Sequence, residues 1–301
     1  MAKGCRRIEK GSIEMSIISH EVVNVTPDIA KKWLGNDVVY AHQREWRPGY
    51  SDAYASDMLA GLWSDDVADP IVLSKSGKLL NGQHRLHAIV SSGLSFDFLV
   101  VTVESESGYK FTDTGHVRSF SDLIGKDVKN KVELGSISKR IAGVEDGATI
   151  RRSLDGTARV TLAKTVVFAE RHMEYLQSLI RATKRVRKAL DNKGAISSYG
   201  TVLHIFENVY GDGAVIKIEE RVKDESDETV ALKKKICAMY AMQSPRPSAS
   251  GYVFAQYCDS IISGREIDNL SIGDGMRVLA SIQPDYECGR PMDKELPRVS
   301  E

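Results

Sequence analysis

The fold is decided by residues 79–93, which read Leu79-Leu80-Asn81-Gly82-Gln83-His84-Arg85-Leu86-His87-Ala88-Ile89-Val90-Ser91-Ser92-Gly93. Just before the turn, two apolar runs flank Ser76-Gly77-Lys78, which is the pattern of a hairpin over residues 70–80. After the turn, apolar residues recur at the spacing of a helix face, at Leu86, Ile89 and Val90. The sequence therefore predicts that Asn81-Gly82 lies where a strand passes into a helix.

The predicted turn carries groups that suit an anion. The first backbone N–H groups of a helix lack partners within the helix and the helix dipole is positive there, so a phosphate or carboxylate is stabilised. Arg85 can add a two-pronged contact, and Gln83, His84 and His87 lie within the same turn. The alternative is an ordinary turn glycine followed by a solvated helix end.

Metal binding is a weaker alternative for the same turn. His84 and His87 are three positions apart and can share a helix face, but no Cys, Asp or Glu lies nearby in sequence to complete a zinc site. The four cysteines are far apart along the chain, which disfavours a disulfide framework or a zinc ribbon. We therefore predict no metal site.

A second group of polar residues is the run Asp113-Thr114-Gly115-His116-Val117-Arg118-Ser119. Asp113 can act as a general base or hold a metal, while Arg118 and the backbone around Gly115 can stabilise charge on a phosphoryl group. The alternative is purely structural. In that interpretation Ser119 or Ser121 caps a helix that begins near residue 122, and Asp113 closes an Asx turn.

A third candidate is the segment with Arg44, Trp46 and Arg47, because arginine beside an exposed aromatic ring suits phosphate contact together with base stacking. A surface loop around a buried Trp explains the same residues. A fourth candidate is a cluster of cations that can contact a nucleic acid or simply form a solvated helix face. Its members are Arg181, Lys184, Arg185, Arg187 and Lys188.

Composition limits the class of protein. Lys+Arg and Asp+Glu both total 41 in 301 residues, so the net charge is zero and nucleic-acid contact has to come from local patches. No apolar run is long enough to span a bilayer, and the first residues lack a signal-peptide pattern. We expect a cytoplasmic protein with no membrane partner, and the oligomeric state is left open.

The character of the chain changes after about residue 126. Residues 127–156 are rich in Gly, Lys, Asp and Ser, which predicts a partly helical connector, and an apolar stripe at helical spacing follows. We predict helices over residues 157–190, 196–209, 213–222, 227–242 and 250–263. The predicted organisation is an N-terminal extension (1–22), a first domain (23–126), the connector (127–156), a helical domain (157–283) and a loop or disordered tail (284–301).

These motifs resemble the ParB/sulfiredoxin superfamily, in which a G-x-x-R segment at a helix start grips nucleotide phosphates. Residues 81–86 are similar to the D/N-G-Q-H-R-L motif of phage and actinobacterial members with a ParB-like nuclease domain, and residues 113–119 to their D-T-G-x-x-R-S segment. The resemblance covers residues 23 to about 125. It implies an α+β fold with a ParB/sulfiredoxin-like N-terminal domain and a small mixed sheet, followed here by an all-helical C-terminal domain.

The chain departs from the family pattern at the turn itself. Asn81 replaces the usual acidic residue, and Gln83 and His84 stand where sulfiredoxin carries its nucleophilic cysteine. Sulfinic-acid repair is therefore not implied. The same two residues replace the acidic residue and arginines of ParB-type CTP clamps, so the resemblance implies no particular nucleotide.

The function predicted from the sequence is binding of a nucleotide or a nucleic-acid phosphate, in a phage- or mobile-element-type protein that acts on or with DNA. If the protein is an enzyme, phosphoryl or nucleotidyl transfer or DNA-base modification fits, with Asp113 and His84 as catalytic candidates and a nucleoside triphosphate with Mg²⁺ as the candidate cofactor. The alternatives are a non-catalytic DNA-binding or protein-interaction module, a small-molecule kinase and a nuclease. The predicted phosphate ligands are Asn81, Gly82, Gln83, His84 and Arg85, faced by Thr114, Gly115, Arg118 and Ser119.

Overall fold

The computed structural model describes residues 17–35, 46–64, 69–104, 106, 119–191, 193–211, 213–242, 246–267, 269–290 and 292. The chain divides into two compact units, Met1–Val117 and Arg118–Glu301. The division falls nine residues before the boundary that the composition suggests at residue 126. The nine residues 118–126 belong to the second unit because Ile124 packs into its core.

The first unit combines a four-stranded mixed sheet with three helices in its described residues. The sheet order is β1-β4-β2-β3; β1 and β4 are antiparallel, β2 and β4 parallel, and β2 and β3 antiparallel. This agrees with the α+β class and the small mixed sheet expected near the N-terminus. The elements are β1 (Ile17–Val25), α1 (Pro27–Trp33), α2 (Pro48–Leu59), β2 (Ile71–Ser74), β3 (Leu79–Asn81), α3 (Gln83–Ser92) and β4 (Phe96–Val103).

The core of the first unit explains why α3 lies where it does. A parallel pair of strands needs a crossover, and β3 with α3 provides it between β2 and β4. Leu86 and Ile89 of α3 are fully buried together with Ile71 of β2, and Phe98 and Val100 of β4 belong to the same cluster. The apolar stripe of α3 therefore fixes the helix on the sheet and leaves its first turn at the end of β3.

The second unit is helical throughout the part of the chain that the structure describes. The helices predicted over 196–209, 213–222, 227–242 and 250–263 are present to within three residues at each end. The helices are α4 (Phe120–Leu123), α5 (Lys131–Glu145), α6 (Ile150–Leu154), α7 (Leu162–Arg171), α8 (Met173–Ala189), α9 (Ile196–Tyr210), α10 (Ala214–Lys223), α11 (Asp227–Met242), α12 (Pro247–Ser263) and α13 (Ile272–Ile282), and a 3-10 turn follows at Gln283–Asp285.

The segment 127–156 is part of the core of the second unit rather than a link outside it. Leu134, Ile137 and Ile141 of α5 have no exposed surface. Two of its glycines serve close packing, since a Cβ would lie 2.7 Å from Phe120 Cδ1 on Gly135 and 2.7 Å from Ser153 Oγ on Gly143. The predicted helix over 157–190 is likewise two helices, because His172 leaves the helical conformation with φ −114° and ψ 27°.

Residues just past the predicted boundary of the tail are also packed. Tyr286 is 8% exposed and Met292 7%. Within the residues described, the helices are too short or too polar for any of them to cross a membrane.

Candidate functional site

The strand-to-helix junction predicted from residues 79–93 is present. β3 ends at Asn81, α3 begins at Gln83, and Gly82 between them has φ 110° and ψ 2°. Residues with a side chain rarely adopt this left-handed backbone conformation. A Cβ at Gly82 would also lie 3.0 Å from Ile71 Cγ1. The junction therefore requires glycine, both for its backbone angles and for its contact with β2.

Arg85 makes a two-pronged contact, although with the backbone. Nη1 donates a hydrogen bond to the Asp69 carbonyl, Nη2 donates to the Pro70 carbonyl at 2.9 Å, and the guanidinium lies 6.0 Å from the centroid of the Phe98 ring. Arg85, which the sequence predicts to be a phosphate ligand, thus ties α3 to the segment that enters β2. Arg85 has a positioning role in the fold, whatever else it contacts.

The segment around Trp46 lies against the first turns of α3. The Trp46 and His87 rings are stacked with centroids 4.3 Å apart, and Arg47 N donates a hydrogen bond to His84 Nε2 at 3.4 Å. Tyr50 meets His84 edge-on at 5.9 Å. Two candidates that the sequence treats separately, the turn and the Trp46 segment, therefore form one cluster.

Charge at this cluster is lower than its residue types suggest. Burial lowers the pKa of His87, and the neighbouring His84 lowers it further. His84 Nε2 accepts a hydrogen bond from Arg47 N in this arrangement. The His87 ring is thus suited to stacking as a neutral group, and the α3 dipole favours an anion here.

Sequence reasoning missed Tyr50 and the pairing of Trp46 with His87. The only local signal for Tyr50 is its place in the first turn after Pro48, which begins α2. The two segments are about 40 residues apart along the chain, and nothing in either one specifies the other. Trp46 keeps 43% of its surface exposed, with Nε1 donating a hydrogen bond to Ser51 Oγ at 3.0 Å.

The second wall of the predicted site is described only at Ser119, which belongs to the second unit. Ser119 N donates a hydrogen bond to Asp122 Oδ2 at 2.7 Å, so Ser119 is the N-cap of α4. This is the structural alternative considered for that residue. Five predicted site residues lie outside the described residues: Arg44, Asp113, Thr114, Gly115 and Arg118.

The cationic cluster on α8 divides into two groups. Arg185 forms two hydrogen bonds of 2.8 Å with Glu219 of α10, whose side chain is 2% exposed, and Arg187 Nε donates to the Gly194 carbonyl at 3.1 Å. Arg185 therefore ties α8 to α10, and Arg187 ties α8 to the segment before α9. The exposed cations of the cluster recur at spacings of three and four, which places them on one face of α8. They are Arg181, Lys184 and Lys188.

Metal ligation has no further support among the described residues, where no three His, Cys, Asp or Glu side chains are grouped closely enough to hold an ion.

Comparison of the chain with protein-family models, with curated proteins and with solved structures finds no match. The resemblance to the ParB/sulfiredoxin superfamily accordingly rests on the motifs at residues 81–86 and 113–119.

Proposed function

We propose that the first unit binds a nucleotide, or a nucleotide within a nucleic acid, at the start of α3. One observation carries the proposal: a glycine-dependent helix start lies beside the stacked rings of Trp46 and His87. The first feature suits a phosphate and the second suits a base. A ligand with both groups is a nucleotide.

The helix start supplies the phosphate side of the proposed site. The left-handed backbone of Gly82 lets the chain pass directly from β3 into α3, and the positive end of the α3 dipole favours an anion. Asn81, Gln83 and His84 are half-buried side chains around this point and can donate or accept hydrogen bonds. Arg85 holds the segment before β2 and so keeps the turn in place.

The ring pair supplies the base side. Aromatic side chains bind bases by stacking with little sequence preference, and each stacked base contributes about 1–3 kcal/mol. Trp46 is held by its stack on His87 and by its hydrogen bond to Ser51, while much of its surface stays exposed. A ring fixed in this way loses little conformational freedom when a base binds.

The fold family and the biological context are parts of the same proposal. A small mixed sheet with α3 after a glycine turn is the arrangement that the ParB/sulfiredoxin resemblance implies, so we propose a fold of that type. Action on or with DNA, and phosphoryl or nucleotidyl chemistry, follow from the resemblance alone. Asp113 and His84 would be the catalytic groups in that case.

The proposal is tested by titrating nucleotides while following tryptophan fluorescence and melting temperature. Stacking on Trp46 should quench its emission, and a ligand that binds only the folded state should raise the melting temperature. ATP, CTP, GTP, the dNTPs and pyrophosphate, each with and without Mg²⁺, separate base recognition from phosphate recognition. Absence of any shift with all of them would remove the proposal.

Two variants make that test specific. Trp46→Phe should abolish the quenching and weaken binding of nucleotides, while Trp33→Phe, which removes a tryptophan elsewhere in the same unit, should keep both. A quench that persists in Trp46→Phe would place the ligand elsewhere. Arg85→Ala is a poor probe, because loss of its contacts with the Asp69 and Pro70 carbonyls would disturb the turn itself.

A second candidate function is contact with a nucleic-acid backbone through the exposed face of α8. Its three cations are exposed on one side of the helix, which is the arrangement that neutralises phosphates without reading sequence. Lys184 would exchange its ion pair with Glu133, 3.8 Å away, and its hydrogen bond to Asn130 for contact with a phosphate. Changing Arg181, Lys184 and Lys188 to Gln should lower the slope of log affinity against log salt by about 2.7 for duplex DNA. The matched control changes three exposed lysines elsewhere in this unit, Lys217, Lys223 and Lys234, to Gln.

A further inference from the structure

The last packed segment of the second unit is fastened by a line of buried polar side chains. We define the strap as residues 283–292, of which 283–290 and 292 are described. Tyr286 of the strap donates a hydrogen bond to Glu145 Oε1 at 2.5 Å, and its hydroxyl oxygen lies 2.8 Å from His204 Nε2. Tyr175 OH lies 2.7 Å from His204 Nδ1. The line therefore joins α5, α9, α8 and the strap.

The hydrogen-bond directions in this line are fixed. Because the Tyr286 proton goes to the Glu145 carboxylate, the Tyr286 oxygen accepts from His204 Nε2–H. His204 Nδ1 is then the acceptor of the imidazole, and Tyr175 donates to it. His204 is thus held as one neutral tautomer, and its side chain is fully enclosed because the residue is 2% exposed.

The same surfaces hold the strap backbone. Glu145 Oε2 accepts a hydrogen bond from Gly289 N at 2.5 Å, and Asn208 forms a reciprocal pair with Glu287, of 3.0 Å from Nδ2 to the carbonyl and 2.9 Å from Glu287 N to Oδ1. Arg290 donates to the Asn208 carbonyl. Most of these acceptors and donors belong to α5 and α9, so polar contacts hold the strap to these helices in addition to the packing of Tyr286 and Met292 in the apolar core.

Burial and two nearby basic side chains disfavour protonation of His204. Burial lowers the pKa of His204 to about 3, and His172, before α8, and Arg290, in the strap, lower it as well. Glu145 faces it only through the Tyr286 hydroxyl. A protonated imidazole needs acceptors at both nitrogens, so the Tyr175 hydroxyl would have to turn its proton away from Nδ1. Protonation therefore opposes the closed strap.

We propose that the strap is an acid-sensitive latch, in which protonation of His204 releases residues 286–290 from α5 and α9 and uncovers the polar groove formed by Glu145, His204 and Asn208. The closed state is favoured at pH values above the ordinary pKa of histidine, 6.5, and it loses this advantage progressively as the pH falls toward 3. With an ordinary pKa in the open state, the ratio of open to closed strap rises about 30-fold between pH 8 and pH 5.

The test is amide hydrogen exchange of the full chain, measured at pH 8 and pH 5 and corrected for the intrinsic exchange rate at each pH. The amides of Glu287 and Gly289 report directly, because each is hydrogen-bonded across the closed latch. Their exchange should rise about 30-fold at pH 5, while a core peptide over residues 252–258 stays protected. A parallel rise in that core peptide would mean general unfolding and would overturn the proposal.

Two variants distinguish opening of the strap through His204 from a general loss of stability at acid pH. His204→Asn keeps a neutral polar side chain but cannot titrate, so the pH dependence of strap exchange should vanish. An unchanged rise in that variant would also overturn the proposal. If His204→Asn does not fold, Tyr286→Phe serves instead: it cuts the link from His204 to Glu145, so strap exchange should be fast at both pH values and nearly independent of pH.

Discussion

Both units start a helix at a left-handed glycine, and the second unit also uses glycine to pack its helices together. In the first unit, Gly82 supplies a left-handed backbone that turns β3 into α3. In the second, Gly275 on α13 and Gly143 on α5 have no such conformation, and they let helices approach each other closely. The second unit also starts a helix in this way, at Gly213 with φ 108° and ψ −5°. There, however, the Glu207 carboxylate accepts hydrogen bonds from Gly213 N and Val215 N, so an anionic group of the protein itself already lies at the start of α10.

The largest expected effect is Gly275→Ala. A Cβ there would overlap the Tyr252 carbonyl oxygen of α12, and backbone cannot move aside as a flexible side chain can. We expect a loss of at least about 3 kcal/mol in the free energy of unfolding, measured by chemical denaturation followed by far-UV circular dichroism.

The same helix offers a matched control for that substitution. Gly273 has nothing nearer than 3.8 Å to a new Cβ, so Gly273→Ala should leave stability unchanged or raise it by up to about 1 kcal/mol through helix propensity. If the two variants were equally stable, close packing would not be the reason for glycine at 275.

Gly82→Ala should cost about 2 kcal/mol, from the left-handed backbone together with the close contact to Ile71. Gly77→Ala in the β2–β3 turn is the control, because its φ is +81° and no atom lies within 4 Å of a new Cβ. The difference between the two unfolding energies isolates the contact with Ile71. Equal losses would mean that backbone angle alone explains Gly82.

The local parts of this comparison are predictable from sequence. Gly82 lies between a hairpin pattern and a helical stripe, and both patterns are read from neighbouring residues. The helices of the second unit follow from apolar spacing in the same way. Gly143, in contrast, sits in a stretch whose composition is that of a connector, and only the presence of Ser153 beside it reveals close packing.

The remainder of the site depends on partners distant in sequence. Trp46 stacks on His87, and Tyr286 bonds to Glu145 across 141 positions. Such pairs cannot be predicted from the local sequence, because only the complete fold brings the two residues together. Arg85 shows a second limit, because its acceptors are main-chain carbonyls and carry no residue identity. A phosphate ligand and a structural arginine have the same sequence signature.

An effect of similar size is expected where the second unit buries charge. Arg185→Met leaves the Glu219 carboxylate enclosed without its partner, and we expect a loss of about 2 kcal/mol, moderated because Arg185 itself is 39% exposed. Thermal or urea unfolding of the variant measures the loss, and the double variant Arg185→Met/Glu219→Leu should recover most of it. Arg221→Ala, which breaks an exposed pair with Glu228, should cause no measurable change.

The smallest expected effect on stability is Trp46→Leu. The variant loses the stack on His87 and the hydrogen bond to Ser51, which together are worth about 1 kcal/mol at a half-exposed position. Unfolding monitored by circular dichroism should shift only slightly, while nucleotide binding should be lost. Loss of binding without loss of stability distinguishes a binding residue from a core residue. Substitution of Trp63, which packs against Tyr54 and Phe98, should instead cause a much larger loss in the free energy of unfolding. If Trp46→Leu unfolded the first unit instead, the ring would belong to the core and the proposed base platform would fail.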